Sequence, residues 1–208
     1  RYCPQSKFII KMDDDIVVNL YDFHDRLRYR YEDRKNLILG LMQMEAKPVR
    51  NKISKWYVGY DEFPGYFYAS FMSGWAYAIT KDAAVKIVDE SFKRPYFWID
   101  DVHITGTLAE RTGVKREGLN GLYTLHVDHL YCCLELPGAA DYRCDYMVGP
   151  AEGDMDIMIR VLDHARTCYM SHCHRRKPKE SVAKTCIRAK VPPLAPLGKG
   201  EGEILKMF

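Results

Sequence analysis

The sequence predicts an α/β domain with a mixed, mostly parallel sheet over residues 1–149, then a helix and a basic, proline-rich tail over residues 150–208. Three observations predict it. Short apolar runs alternate with stretches of helical periodicity, two groups of acids each follow an apolar run, and the composition changes near residue 150.

The first run, Lys7-Phe8-Ile9-Ile10-Lys11-Met12, leads into Asp13-Asp14-Asp15 and reads as a buried strand that delivers carboxylates to its C-terminal tip. Strand alternation sends Asp13 and Asp15 to one side and Asp14 to the other. Adjacent anions repel, and the remedies are bulk water, helix N-terminal amides or a bound cation. From these residues alone, a cation site and a solvated acidic turn both stand.

Leu20, Phe23, Leu27 and Tyr31 fall at helical spacing and predict an amphipathic helix over residues 20–34. Residues 36–44 (NLILGLMQM) form a second buried strand, ended by Pro48. An aromatic belt over residues 54–78 is broken by Gly59, Pro64, Gly65 and Gly74 into short strands and turns. Thr80 caps a helix that carries Ala84, Ile87 and Val88, and Pro95 ends that element. Asp100 and Asp101 precede a helix over residues 102–111, which stops at Gly113 as a residue after a helix end should. Residues 121–126 read as a further strand. Met155, Met158, Ile159, Leu162, Ala165 and Tyr169 make one more helical stripe, and the HRRKPK and VPPLAPLGKG runs after it are expected to be unpacked and solvated.

At 208 residues, 47% hydrophobic and 28% charged, the chain is long enough for a sizeable core. A formal charge of +3 is too small to argue for nucleic acid. No apolar run approaches the roughly 20 residues needed to cross a bilayer. The sequence opens on Arg1 and enters almost directly into a strand, so a longer parent protein is expected. Seven cysteines favour an oxidising compartment, and the odd count leaves at least one without a partner inside the chain. Cys132 and Cys133 are poor partners for each other. Cys168, His172, Cys173 and His174 mimic a zinc cluster but lack a second well-separated pair, so a disulfide or disordered cysteines are the better expectation.

Three separated motifs, KFIIKMDDDIVVN, KWYVGYDEFPGYFYASFMSGWAYAITKDAA and WIDDVHITGTLAERTGV, resemble the β-1,3-glycosyltransferases of family 31, whose members transfer galactose or N-acetylglucosamine. The resemblance covers roughly residues 2–130 and implies a GT-A-like nucleotide-diphospho-sugar transferase fold, here without its N-terminal strands. It implies an inverting, metal-dependent transfer from a UDP-sugar to a glycan acceptor on protein or lipid, in β-1,3 linkage. Mn²⁺ or Mg²⁺ would serve as cofactor. The family setting is a Golgi membrane protein of type II, with the catalytic domain luminal and the anchor upstream of this sequence. A fragment without the first strands is expected to be inactive and to expose a sheet edge.

By the same resemblance, Asp15 binds the metal, and Asp13 faces the metal or the nucleotide, with Asp14 beside it in the nucleotide-sugar site. Asp101 is the catalytic base, next to Asp100, which stands where Glu is more usual. The residues alone also allow both acids to act simply as helix caps. His126 is the further metal ligand implied, whereas His129 lies three residues on and His103 is assigned to structure. Trp56, Trp75, Trp98 and Gly74 are the acceptor-site candidates, because aromatic faces suit sugar C–H surfaces and glycine lets a substrate approach the backbone. Ala69 follows Tyr68 where the family more often has proline, so the local loop departs from the pattern. Two other classes fit the acids: an inactive glycan-binding or chaperone-like relative, and a metal-dependent phosphoester hydrolase.

Overall fold

The computed structural model describes Cys3 and residues 5–187. In chain order the strands are β1 (Phe8–Met12), β2 (Ile16–Val18), β3 (Leu37–Gln43), β4 (Phe71–Thr80), β5 (Lys115–Gly118) and β6 (Val148–Pro150). The α-helices are α1 (Leu20–Tyr31), α2 (Lys81–Ser91), α3 (Ala109–Arg111), α4 (Val127–Glu135), α5 (Met155–Ser171) and α6 (Val182–Thr185). A π-helical segment, Val102–Leu108, runs straight into α3. The chain forms two compact units. One runs to Lys11 and resumes over Asp33–Leu119; the other holds Met12–Glu32 and resumes at Asn120.

The first unit is built on a sheet in the order β1-β4-β3-β5. β3 lies antiparallel to β4, with Ile38 opposite Ile79, and parallel to β5, with Leu37 opposite Lys115. The sheet is therefore mixed as expected, but its central ladder is antiparallel, a correction to the mostly parallel expectation. β4 explains the difference. Gly74, expected to break the aromatic belt, lies inside a strand that runs through it for ten residues, Phe71–Thr80. β1 is also corrected, because it is an edge strand and Ile9 and Ile10 are 47% and 37% exposed. An apolar run identifies a strand without telling whether both its sides are covered.

Ile38, Met72, Ile79, Ala83, Ile87, Leu108 and Val114 make the core of this unit between the sheet, α2 and the π-helical segment. The Thr80 hydroxyl does not cap α2; it accepts the Leu37 N–H at 3.1 Å and ties the helix start to β3. Gly113 has φ of +66°, the left-handed geometry expected after α3.

In the second unit, β2 pairs antiparallel with β6, and α5 packs on β2 and α4. Val17, Leu130, Ala151, Ile157 and Val161 form its core. The expected strand over residues 121–126 is replaced by a 3₁₀ turn, Asn120–Leu122, and a single bridge between Tyr123 and Val148. The chain turns there because α4 starts at Val127 and must lay Val127, Leu130, Tyr131 and Leu134 against that core. α5 exists where expected but buries Ile157, Val161, Ala165 and Cys168. Met155 and Ile159, placed on the packed stripe by periodicity, are more than half exposed.

Disulfides join Cys132 to Cys186, Cys133 to Cys144 and Cys168 to Cys173, leaving Cys3 free. The neighbours Cys132 and Cys133 take separate partners, and the bond between Cys168 and Cys173 replaces the zinc-like arrangement. The expectation of an unpacked tail after α5 is corrected as far as Ile187. Val182 is fully buried, its N–H donates to Asp145 at 2.6 Å, and Cys186 is bonded to α4. The HRRKPK run is largely exposed, as expected, and VPPLAPLGKG lies outside the described residues. Among the described residues, no helix is long and apolar enough to cross a membrane.

Candidate functional site

Asp101 ends the apolar stretch that contains Ile99 and is the last residue before the π-helical segment. One carboxylate oxygen accepts the Val102 N–H at 2.8 Å, and the other accepts the Gly74 N–H from β4 at 3.1 Å. Thr105, one turn on, donates its hydroxyl to the Asp101 carbonyl at 2.6 Å and accepts the Met72 N–H at 2.8 Å, which locks the segment to β4. Asp101 is therefore held from both sides by backbone. π-Helical turns of this kind recur at functional sites.

Burial pushes the Asp101 carboxyl above the ordinary carboxylate range, and the exposed Asp100 beside it pushes the same way. The two backbone N–H groups and Lys11 pull against that shift without overcoming it. Lys11 reaches across from β1 and donates to the Gly74 carbonyl at 2.6 Å. A β-carbon on Gly74 would sit 3.2 Å from the Lys11 ammonium and 3.6 Å from an Asp101 oxygen, so glycine keeps lysine and carboxylate close at this point. An ionised carboxylate offers about four lone-pair positions, and two hydrogen bonds leave acceptor capacity for an incoming hydroxyl.

The same unit brings Trp56 and Trp98 together. Their rings stack at 6.1 Å with planes 7° apart, and Trp56 remains 39% exposed. Trp75 follows Gly74 on β4 and is half-buried. Trp98 packs against the cluster of Val58, Tyr68, Ile99 and Val102, so the stacked pair is anchored to the segment that carries Asp101. Arg50 organises the loop that holds Trp56 by donating to four carbonyls, those of Val58, Gly59, Phe63 and Gly65, at 2.7–3.0 Å. His103 is buried, lies edge-on to Tyr96 and has its pKa lowered by burial, in keeping with a structural role.

Asp13, Asp14, Asp15 and His126 belong to the second unit. The acids occupy the turn between β1 and β2, with Asp13 half-buried and Asp14 and Asp15 exposed, so the expected strand alternation does not extend to them. The Asp15 carbonyl accepts the Ala151 N–H at 3.3 Å and fixes the turn beside β6. His126 stands immediately before α4. Its N–H donates to the Thr124 hydroxyl at 3.1 Å, and the same hydroxyl is 2.6 Å from Nδ1 of His129. The His129 ring stacks on Tyr146 at 5.0 Å, and burial followed by the neighbouring His126 lowers its pKa. Nε2 of His126 is buried and has no hydrogen-bond partner.

Among the described residues, no three His, Cys, Asp or Glu side chains are gathered into a ready-made metal cage. That is compatible with a hard divalent ion, which commonly takes one or two carboxylates and completes its shell with substrate phosphate and water. The orphaned ring nitrogen of His126 and the exposed carboxylate of Asp15 are the donor types such an ion accepts.

Residues 1–120 match the family described as galactosyltransferase. The chain belongs to that family. Relatives within it include human beta-1,3-galactosyltransferase 5, 31% identical over 120 residues, which are 58% of this chain and 38% of that protein. The lactosylceramide 1,3-N-acetyl-beta-D-glucosaminyltransferase of Xenopus tropicalis is 34% identical over 114 residues, 54% of this chain and 30% of that protein. Mouse beta-1,3-galactosyltransferase 2 is 34% identical over 110 residues, 52% of this chain and 26% of that protein. The chain thus matches less than half the length of these galactosyltransferase-family relatives.

Three features of this family member escape a reading of motifs. Lys11 is a lone charge inside an apolar strand, a signal that a partner waits on the neighbouring strand. Arg50 lies just before the aromatic belt, and nothing local reveals the carbonyls it gathers. The Tyr68 hydroxyl is buried without a hydrogen-bond partner, and burial pushes its pKa up to about 12.

Proposed function

We propose that the parent protein is an inverting β-1,3-hexosyltransferase. It moves galactose, or as the second candidate N-acetylglucosamine, from a UDP-sugar to a hydroxyl of a glycan on protein or lipid. The observation that carries this reading is Asp101, a half-buried carboxylate fixed by two backbone N–H groups and made more basic by burial. As the acceptor oxygen bonds to the anomeric carbon, its proton passes to Asp101 and the bond to the departing UDP oxygen breaks. The stacked Trp56 and Trp98 offer an apolar face to the acceptor, and Gly74 lets Lys11 and the base approach each other.

Asp15, Asp13 and His126 would hold Mn²⁺ or Mg²⁺, with Asp13 and Asp14 next to the nucleotide sugar. A divalent ion supplies charge neutralisation for a diphosphate leaving group. Relatives' names support the sugar and linkage, and three disulfides support an oxidising compartment, in keeping with the luminal Golgi setting and upstream anchor proposed by resemblance to the family.

The test supplies full-length protein with UDP-galactose or UDP-N-acetylglucosamine, with and without a glycan acceptor, and with Mn²⁺ or a chelator. Acceptor-dependent and metal-dependent transfer is expected. Sugar release that ignores the acceptor would show a hydrolase instead, and absence of both transfer and metal-dependent UDP binding would show an inactive relative.

A further inference from the structure

A cavity of about 210 Å³ lies within the second unit, between α1 and the segment after α4. Arg26 and Arg30, one helical turn apart on α1, line it together with Arg143 and Arg175. Three acids also line it, and one of them is paired with an arginine of the wall. Asp22 pairs with Arg143 at 3.0 Å, Asp145 accepts the Val182 N–H at 2.6 Å, and Asp25 lies 3.6 Å from the His24 ring nitrogen. Among the described residues, no carboxylate lies within ion-pairing distance of the Arg26, Arg30 or Arg175 guanidinium.

Four guanidinium groups against three carboxylates leave the lining net positive, and among the described residues no carboxylate is close enough to pair with Arg26, Arg30 or Arg175, an arrangement that a bound anion would relieve. Burial, followed by Arg30 and Arg175, lowers the pKa of Arg26, while Tyr31 and Asp22 act against that shift. The surroundings are stiff. Cys144 on the wall is bonded to Cys133, and Arg143 donates to the carbonyl of Cys173, itself bonded to Cys168. Such a shell holds Arg143 and the Cys144 wall in place before a ligand arrives, with Arg30 and Arg175 at the exposed rim.

We propose that this cavity is a binding site for a tetrahedral oxyanion, a sulfate or phosphate group, held by Arg26, Arg30 and Arg175. Arginine forks match the oxygens of such groups in pairs, and Arg143 is fixed by Asp22 as part of the wall. Size sets the class. About 210 Å³ is below the roughly 300–1,000 Å³ of sites that enclose whole small-molecule ligands, but it exceeds the ~30 Å³ share of one water several-fold. It therefore suits a free anion or the anionic substituent of a larger saccharide, with the remainder outside.

The test titrates the 208-residue chain with sodium sulfate at constant ionic strength, using chloride as the balancing salt, and follows the melting temperature. A saturable rise is expected in the wild type and none in the Arg26→Gln/Arg30→Gln variant. Without sulfate, that variant should melt no lower than the wild type, because it relieves repulsion. An equal sulfate response in both proteins, or none in the wild type, overturns the proposal.

A second readout needs no variant. The side-chain Nε–H resonances of Arg26 and Arg30 should shift saturably with sulfate, and unchanged resonances overturn the assignment. A sulfated disaccharide run in parallel identifies the source. Binding at least about tenfold tighter than inorganic sulfate assigns a glycan-borne ester, and equal binding assigns the free ion.

Discussion

Replacing Asp101 with asparagine separates the two roles its carboxylate could play. The side chain accepts the Val102 N–H at 2.8 Å with one oxygen and the Gly74 N–H at 3.1 Å with the other. Asparagine has one carbonyl oxygen and one NH₂, so one of those backbone donors must face another donor. An unsatisfied donor at a half-buried position costs about 1–3 kcal/mol. Against this, the substitution removes a charge that burial disfavours. The sign of the pH dependence follows. Because the folded pKa is raised, the stability associated with Asp101 is fully present below the unfolded value of about 3.9 and is lost as pH climbs towards the folded value. The substituted amide does not titrate. The wild-type stability minus that of Asp101→Asn should therefore fall as pH rises through that window, as read by urea denaturation at a series of pH values. Catalysis should suffer more. Loss of a general base lowers turnover about 10²–10⁴-fold, equivalent to about 2.7–5.4 kcal/mol of barrier, in a transfer assay on the full-length protein. A stability difference that grows with pH would refute the burial argument, and turnover within about threefold of wild type would refute the base assignment.

Two further perturbations address the scaffold. Arg50→Met strips a donor from four carbonyls of the loop that carries Trp56. A cost of about 3 kcal/mol or more is expected, with hydrogen exchange accelerating over residues 50–65 while α5 keeps its protection. Cys132→Ser combined with Cys186→Ser opens a cross-link between residues 54 positions apart. Chain entropy sets the loss near 4 kcal/mol, with about 2–4 kcal/mol typical in practice; denaturation showing a loss below about 1 kcal/mol would contradict a stabilising cross-link.

The sequence makes the local elements more legible than their surroundings. α1 is written in Phe23, Leu27 and Tyr31, which are the residues it buries. The stop at Gly113 is written in the one residue type that readily adopts φ of +66°. α5 is visible as a helix but not as a face, because Met155, Ile159 and Leu162 make a second apolar stripe beside the packed one. α4 is hidden by the Cys132-Cys133 pair, which draws attention as sulfur chemistry although Leu130 and Leu134 carry the period. Within the candidate site, Asp101 and Gly74 are legible as types that chemistry or close approach demands. Their contact is not, since residues 27 positions apart meet only after β4 and the π-helical segment pack together. Lys11 and Arg50 act on carbonyls, and carbonyls leave no mark in the sequence.

The molecule contains its own control for reading Asp101 as more than a helix cap. Asp154 caps α5 by accepting the N–H groups of Asp156 and Ile157, at 2.9 and 3.3 Å, and it too binds two backbone donors. The hydroxyl of Tyr131 donates to it as well, and these bonds hold the Asp154 carboxyl below the ordinary range. The Tyr131 bond is the largest of these influences, ahead of the two backbone bonds, and all of them favour the charged form. Asp101 accepts an equal number of backbone N–H groups and has Lys11 within electrostatic reach, yet its carboxyl is displaced upwards. The two carboxyls move in opposite directions because burial outweighs the hydrogen bonds at Asp101 and does not at Asp154. That displacement suits the proposed role, because a group that must accept a proton from a weakly acidic hydroxyl becomes a better base by it, and capping and that role are compatible in one carboxylate.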